Sequence, residues 1–561
     1  MQKIGPTIVL VLFGLGGCAS VGQNSGQPWQ PSSQAESFGD YLSARLAASD
    51  HNMADAAKLY GASLATDPDN ADILGHAFLY SAASGDIDGA AKLARRLVKS
   101  DPDNRAARLA LAVEALKNGD YAGARTEITQ SAKGPFTGLT LVLLDAWAAA
   151  GAGDMASADS DIAQVIKEGG TQTLGDFHRA LIHDLADQSD VADVSYRAAV
   201  ASGGTSPRIA EAYGRFLERE KRADAARAYY SKLESDAALA PIAAQGLARI
   251  AGGQKPDRLV KSADQGAAEA LFGIAASLND ENSADIAVLY LRLALYLSPD
   301  LDLAKIVLAD RFEALGKYED AIEVYGSLDK DSPYRSAAAV QIALDQSRLG
   351  QNDQAVSELQ ALTRGTPGDV TAWTALGDAY RNEEKYSEAA AAYDRAVALL
   401  GSDKANAWPL FYARAIAEER SHRWDAAEGD LKHALQLSPD QPQVLNYLGY
   451  SWVDQGRNLP QALTMLEKAR SLSPFDGYIA DSVGWAYYKV GRYQDAVKVL
   501  ENAILLVPGD STVNAHLGDA YWRIGRKLDA QFQWSHALAF NPDPSEKVTL
   551  ERKLQSGNSE K

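Results

Sequence analysis

Val483-Gly484-Trp485-Ala486-Tyr487-Tyr488-Lys489-Val490-Gly491-Arg492-Tyr493-Gln494-Asp495-Ala496 reads as the end of one helix, a glycine turn and the start of a second helix. Glycine at such a turn supplies the left-handed C-cap that lets a helix stop without a side-chain clash. Gly491 stands five residues before Ala496, and Gly85, Gly119, Gly153, Gly316, Gly350 and Gly525 stand in the same relation to Ala90, Ala124, Ala158, Ala321, Ala355 and Ala530. The alanine itself returns every 34 residues, at Ala56, Ala90, Ala124, Ala158, Ala192 and Ala226, then at Ala287, Ala321, Ala355 and Ala389, and again at Ala427, Ala462, Ala496 and Ala530. A two-helix unit of this length cannot bury its apolar face alone and must stack on its neighbours. The expected fold is all-α: a right-handed superhelical solenoid of about 14 helix-turn-helix repeats.

The last repeats show what each position is for. Leu448-Gly449-Trp452, Val483-Gly484-Tyr487 and Leu517-Gly518-Tyr521 fall on first helices, and Ala462-Leu466-Ala469, Ala496-Leu500-Ala503 and Ala530-Trp534-Ala537 fall on second helices. Small residues let the two helices approach, an aromatic fills the gap, and Pro474, Pro508 or Pro542 follows each second helix because proline cannot continue it. These units resemble the tetratricopeptide repeat, from about Ser37 to Pro542.

Two departures break the period. Ala226 and Ala287 stand 61 residues apart, a full repeat and 27 more, and Gly252-Gly253-Gln254-Lys255-Pro256 inside this gap reads as a loop. One repeat there is expected to be truncated or distorted, as a kink between two sub-arrays or as a shortened second helix. Smaller insertions precede Ala427 and surround Gly456-Arg457-Asn458-Leu459-Pro460. The expected organisation is a leader over 1–17, a tether over 18–36, a first array over 37–250, an irregular repeat over 251–283, a second array over 284–544, and a polar capping helix and tail over 545–561.

The N-terminus carries Lys3, the apolar run Ile8-Val9-Leu10-Val11-Leu12-Phe13, and then Leu15-Gly16-Gly17-Cys18, an arrangement with the grammar of a signal peptide and a run too short to span a bilayer. Leu-Gly-Gly-Cys resembles the bacterial lipobox, which implies cleavage before Cys18 and its lipidation. Cys18 is the only cysteine in 561 residues. Ala19-Ser20 follow it, with no aspartate, and by the same resemblance this implies the outer membrane. Residues 21–36 are rich in Gly, Ser, Gln and Pro and should form a flexible tether reaching roughly 20–25 Å on average.

The net charge of −19 has no basic stripe, which excludes nucleic acid as a partner and disfavours lying flat on an anionic bilayer. The sequence contains no Walker loop, no His-Glu-x-x-His and no Gly-x-Ser-x-Gly, and its single thiol lies at the lipidation point, so neither an enzyme nor a cofactor or metal site is expected. His178 and His183 lie five apart, which splits them around a helix, with Asp184 as a neighbour.

Seven of the nine tryptophans follow residue 370. Asp481, Trp485 and Tyr488 share one stripe of a first helix, beside the core residues Val483, Gly484 and Tyr487. Their equivalents are Asn446, Tyr450 and Val453 in the repeat before and Ala515, Asp519 and Trp522 in the repeat after. Two expectations stand for this stripe: an aromatic and acidic protein-binding groove made by Asn446, Tyr450, Asp481, Trp485, Tyr488, Asp519 and Trp522, or packing between successive first helices. The paired Lys and Asn with which the repeat family clamps a terminal carboxylate are not evident.

Leu445-Asn446-Tyr447-Leu448-Gly449-Tyr450, Asp481-Ser482-Val483-Gly484-Trp485-Ala486-Tyr487-Tyr488 and His516-Leu517-Gly518-Asp519 resemble the end of large tetratricopeptide lipoproteins of Gram-negative outer membranes. One of these is an adaptor that holds a periplasmic carboxy-terminal-processing protease together with its peptidoglycan-hydrolase substrates. The resemblance implies a non-enzymatic adaptor with such partners, anchored by lipid alone. A second reading is a structural component of an envelope machine for polysaccharide export, secretion or outer-membrane assembly. The anchor makes a direct prediction: Cys18→Ser should move the protein from the membrane to the soluble fraction with its helical circular dichroism unchanged, and a variant that still sediments with outer membranes in high salt would refute the lipid tether.

Overall fold

A computed structural model describes residues 33–556, apart from 135–136, 166, 169, 204–205, 237, 279–282 and 401–404. Cys18 and the leader lie outside these residues. The structure is 78% helix, and the described residues contain no strand. No helix among them is long and apolar enough to cross a membrane.

The chain divides into two compact units, one ending at Leu111 and one running from Ala112. Along the chain the helices come in antiparallel pairs, a first (A) and a second (B). These are α1 (Ser33–Ser49) with α2 (Met53–Thr66), α3 (Ala71–Ser84) with α4 (Ile87–Ser100), α5 (Arg105–Lys117) with α6 (Tyr121–Gln130), and α7 (Thr137–Gly151) with α8 (Met155–Ile162). Next come α9 (Gln172–Leu185) with α10 (Ser189–Gly203), α11 (Pro207–Arg219) with α12 (Ala223–Leu233), then α13 (Ala240–Ala251) alone. Pairing resumes with α14 (Ala263–Ser277) and α15 (Ala284–Leu297), α16 (Asp302–Ala314) and α17 (Tyr318–Gly326), α18 (Arg335–Arg348) and α19 (Asn352–Gly365), and α20 (Val370–Asn382) and α21 (Tyr386–Leu400). The last pairs are α22 (Trp408–Arg420) with α23 (Trp424–Leu437), α24 (Pro442–Asp454) with α25 (Leu459–Leu472), α26 (Gly477–Lys489) with α27 (Tyr493–Leu506), and α28 (Ser511–Arg523) with α29 (Lys527–Ala539), closed by α30 (Pro544–Ser556).

Every alanine of the 34-residue ladder sits on a B helix and is completely buried. In several repeats the A helix answers with a glycine at the closest approach. A Cβ on Gly214, Gly377 or Gly518 would lie 2.3, 2.5 or 2.5 Å from the ring of Tyr230, Tyr393 or Trp534, and one on Gly484 would lie 2.5 Å from Leu500. The aromatic four residues after the ladder alanine also clasps the A helix by hydrogen bonding. Tyr196 donates to Asp184 at 3.2 Å, Tyr230 to Glu218 at 2.8 Å, Tyr325 to Asp310 at 2.5 Å, Tyr393 to Asp378 at 2.7 Å, and Trp534 Nε1–H to Asp519 at 2.9 Å. Hydrogen bonds to charged groups contribute about 1.5–3 kcal/mol each, so the clasp is a substantial part of each repeat that carries it.

The turn between A and B is a Schellman cap in which Gly491 N–H donates to Tyr488 O and Arg492 N–H to Tyr487 O. Gly85, Gly119, Gly153, Gly316, Gly350, Gly491 and Gly525 all have positive φ, as the spacing requires. His51, Asp187, Lys221, Glu384 and His422 occupy the same place five residues before a ladder alanine and also have positive φ, between 51° and 61°.

The irregular repeat has lost its second helix. Residues Gln254–Ser262 are non-helical, with Pro256 unable to support a helical turn, and the chain passes from α13 directly to α14. This shortening redirects α14 onto α7 and α9. Gly266 makes that approach possible, since a Cβ there would stand 2.2 Å from the Trp147 ring. Glu269 of α14 pairs with Arg208 of α11, and Thr140 Oγ1–H donates to the Tyr290 hydroxyl at 3.2 Å, so the α14–α15 pair is seated along the A-helix side of three earlier repeats.

Two glycines should respond oppositely to one substitution. Gly484→Ala places a methyl group against Leu500 and should cost about 1–3 kcal/mol by overpacking. Gly429→Ala, on α23 where nothing lies within 4 Å, should instead stabilise by roughly 0.5–1 kcal/mol through reduced unfolded-state freedom. Urea unfolding of the two variants decides the matter, and equal effects would sink the close-approach account.

Candidate functional site

The A helices α24, α26 and α28 contact one another in order, so their exposed stripes form a continuous face. The stripe predicted from sequence is brought together there, but its members have different roles. Trp485 is half-buried and stacks on Tyr488 at 4.7 Å and 5° and on His516 at 3.9 Å and 11°. Lys489 Nζ lies 5.1 Å from the Trp485 ring centre, and Arg523 Nε–H donates to the Tyr488 hydroxyl at 3.2 Å. Three aromatic rings and two cations thus make a firm wall, with area available at small entropic cost.

The two acids of the stripe are turned inward. Asp481 is buried and bonded through both oxygens to His516 Nδ1 at 2.9 Å. Asp519 is buried and accepts from Lys553 Nζ at 2.7 Å through each oxygen as well as from Trp534. Both carboxylates hold the protein together, and an incoming ligand would have to displace a buried counter-ion to reach them. Trp522 packs at 5.4 Å from Trp534 and belongs to the side of the core.

Asn446 and Tyr450, one turn apart on α24, are different. Asn446 Oδ1 is buried with no hydrogen-bond donor among the described residues. No acceptor or donor among the described residues meets the Tyr450 hydroxyl, whose pKa is pushed well above its usual value by burial and then by Asp481, Asp454 and Glu546. An acceptor and a donor one turn apart match the N–H and C=O of an extended peptide.

His516, Glu546 and Lys553 are the site residues that sequence spacing does not reveal. The last two come from α30, expected only as a polar cap. Leu550 of α30 is buried and Leu554 packs on the same cluster, so the helix closes the end of the face and does not merely solvate it. Of the histidines singled out by sequence, both are core residues: His178 accepts from Trp147 Nε1–H at 3.1 Å, and His183 bonds Asp159 and Gln188.

A stack of helix pairs presenting an aromatic face is a scaffold of the solenoid class. The tetratricopeptide repeat family model matches residues 78–137, 340–404, 412–476 and 484–534, and the repeats in those stretches are tetratricopeptide repeats. Such repeats bind protein segments on their stacked faces. The chain is 34% identical over 87 residues to a TPR repeat-containing protein of Pseudomonas aeruginosa, covering 16% of this chain and 15% of that one. It is 35% identical over 80 residues to ER membrane protein complex subunit 2-A of Xenopus laevis, covering 14% and 27% respectively. The chain therefore spans well under a third of the length of these relatives. Among solved structures, the APC/C hetero-tetramer Cut9–Hcn1 is similar over 93% of this chain and 96% of that one, at 15% identity and a TM-score of 0.39.

His516 gives the face a pH signature. Burial works against its charge, but the Asp481 carboxylate outweighs burial, and the pKa is raised above the usual 6.5. Glu546, Asp519 and Lys553 also face it, with Lys553 opposing the charge. A raised folded-state value means that the stabilisation is complete below pH 6.5 and is lost as pH climbs through the folded value. Thermal unfolding followed by tryptophan fluorescence should show the wild type losing stability across this window and His516→Gln losing less. Parallel profiles for the two proteins would remove the Asp481–His516 pair from the account.

Proposed function

We propose that this protein is a lipid-anchored scaffold of the outer membrane that faces the periplasm and holds partner proteins, with the A-helix face of α24, α26 and α28 as its docking groove for an extended segment. The observation that carries the reading is Asn446 Oδ1, buried without a hydrogen-bond partner among the described residues, one turn from Tyr450 and beside the Trp485–Tyr488–His516 wall. Polar groups that could hold a peptide backbone lie next to aromatic area that could take its side chains. The earlier A-helix side of α7, α9 and α11 is already taken by α14, which leaves the later repeats as the open face.

In this reading the scaffold is an adaptor that brings a periplasmic carboxy-terminal-processing protease to peptidoglycan hydrolases. The lipobox-like Leu15-Gly16-Gly17-Cys18 supports the location, and the resemblance of the last repeats supports the partners. The alternative, a structural subunit of an envelope machine, draws on a relative whose name makes it a subunit of a membrane complex.

In-cell cross-linking followed by mass spectrometry separates the two, comparing wild type with Tyr450→Phe/Trp485→Ala. A periplasmic protease or cell-wall hydrolase captured by the wild type and lost from the variant is the adaptor outcome. Integral envelope proteins captured equally by both would overturn it and place the docking surface elsewhere on the repeats.

A further inference from the structure

The trough that α14 enters is not filled to its end. Between the first turns of α9 and α11 and the sides of α14 and α16 lies a half-enclosed cavity of about 700 Å³. That volume falls within the ~300–1,000 Å³ typical of sites that enclose a small organic molecule. Leu174, Phe177, Ile209, Phe272, Leu303 and Val307 make its walls apolar. Glu269 holds α14 to the first turn of α11, and one turn further on Gly273 presents no side chain to the cavity, with Leu174 of α9 lying 3.9 Å from where a Cβ would be.

His178 lines this wall and has one ring nitrogen that no described residue meets. His178 is 1% exposed, and its Nδ1 accepts from Trp147 Nε1–H, so the ring proton sits on Nε2. No acceptor among the described residues meets that Nε2–H. Burial holds the ring neutral, with a pKa lowered to about 3. The charged residues nearby are closed to a ligand. Arg208 bonds both oxygens of Glu269, one at 3.0 Å, and Glu211 at 2.8 Å, so the guanidinium and the carboxylates satisfy one another. A charged ligand head would lose its water here without gaining a counter-ion. A neutral acceptor would meet a waiting donor.

We propose that this cavity binds a small neutral amphiphile, with an aliphatic or aromatic body among Phe177, Ile209 and Phe272 and one carbonyl oxygen accepting from His178 Nε2–H. The site is independent of the α24–α28 groove, and neither depends on the other.

The test uses the full chain with Cys18→Ser in detergent-free buffer and the neutral fluorophore N-phenyl-1-naphthylamine. Its emission should rise on binding, and methyl decanoate should displace it at concentrations at least about tenfold below those needed for decanoate at pH 7.5, as a buried acceptor without a counter-ion requires. Ile209→Trp should fill the cavity and abolish the emission with an unchanged circular dichroism melt. His178→Phe should keep the fluorophore but weaken competition by methyl decanoate about tenfold, the size of one lost hydrogen bond. Absence of binding by the parent chain, binding that survives Ile209→Trp, or equal competition by ester and carboxylate would each overturn the proposal. So would displacement by N-acetyl-Leu-Phe-Leu-amide but not by the ester, which would assign the cavity to peptide side chains.

Discussion

The contact between a side-chain-poor A helix and the ladder alanine of its B helix is the constraint on which the rest depends. Two helices can meet this closely only where neither presents bulk, and the completely buried alanines together with Gly214, Gly377, Gly484 and Gly518 provide that clearance. In those repeats close approach then brings the residue four places after the alanine over the glycine. At Tyr196, Tyr230, Tyr325, Tyr393 and Trp534 the polar tip of that residue reaches a carboxylate of the A helix, so packing and hydrogen bonding there are set by one spacing. The same closeness buries acids. Asp345 and Glu418 have pKa values raised to about 6 and about 7, in each case by burial first and by neighbouring carboxylates second.

The turns show how far geometry overrules residue preference. A left-handed residue at C′ is obligatory because the A helix must end on its sixth-to-first and fifth-to-second hydrogen bonds before reversing. Glycine adopts this conformation without strain, whereas Lys221, Glu384 and His422 do so against a penalty of order 1–2 kcal/mol. The hydrogen bonds of the turn are nonetheless unchanged: Arg222 N–H donates to Leu217 O and Lys385 N–H to Tyr380 O, as Arg492 N–H does to Tyr487 O. Stacking of each pair on its neighbours over-determines the turn, and the local strain is tolerated.

A repeat array offers its A-helix side along its whole length, and this chain uses part of that side on itself. Loss of one second helix swings α14 onto α7 and α9, converting a would-be docking surface into an interior and leaving a cavity at its end. At the other terminus α30 covers the last repeat through Leu550 and the Lys553–Asp519 pair. Between them, on α24 and α26, Asn446 Oδ1 has no hydrogen-bond partner among the described residues and stands beside an aromatic wall.

The sequence by itself determined the repeat: its period, its buried alanines, its glycine turns and the place where the period fails. These were legible because each depends on contacts within about one repeat, and local spacing encodes local contact. It also placed Trp485, Tyr488, Asn446 and Tyr450 on one face, since helical periodicity fixes which residues share a side. Only the tertiary structure decided the rest. Asp481 and Asp519 read as groove acids from their stripe, yet His516 lies 35 residues from Asp481 and Lys553 lies 34 from Asp519, and those partners turn both acids inward. The seating of α14 on α7 joins residues more than a hundred positions apart, and no period of 34 announces such a contact, because a repeat pattern describes a unit and its neighbour but not where a broken repeat sends the chain.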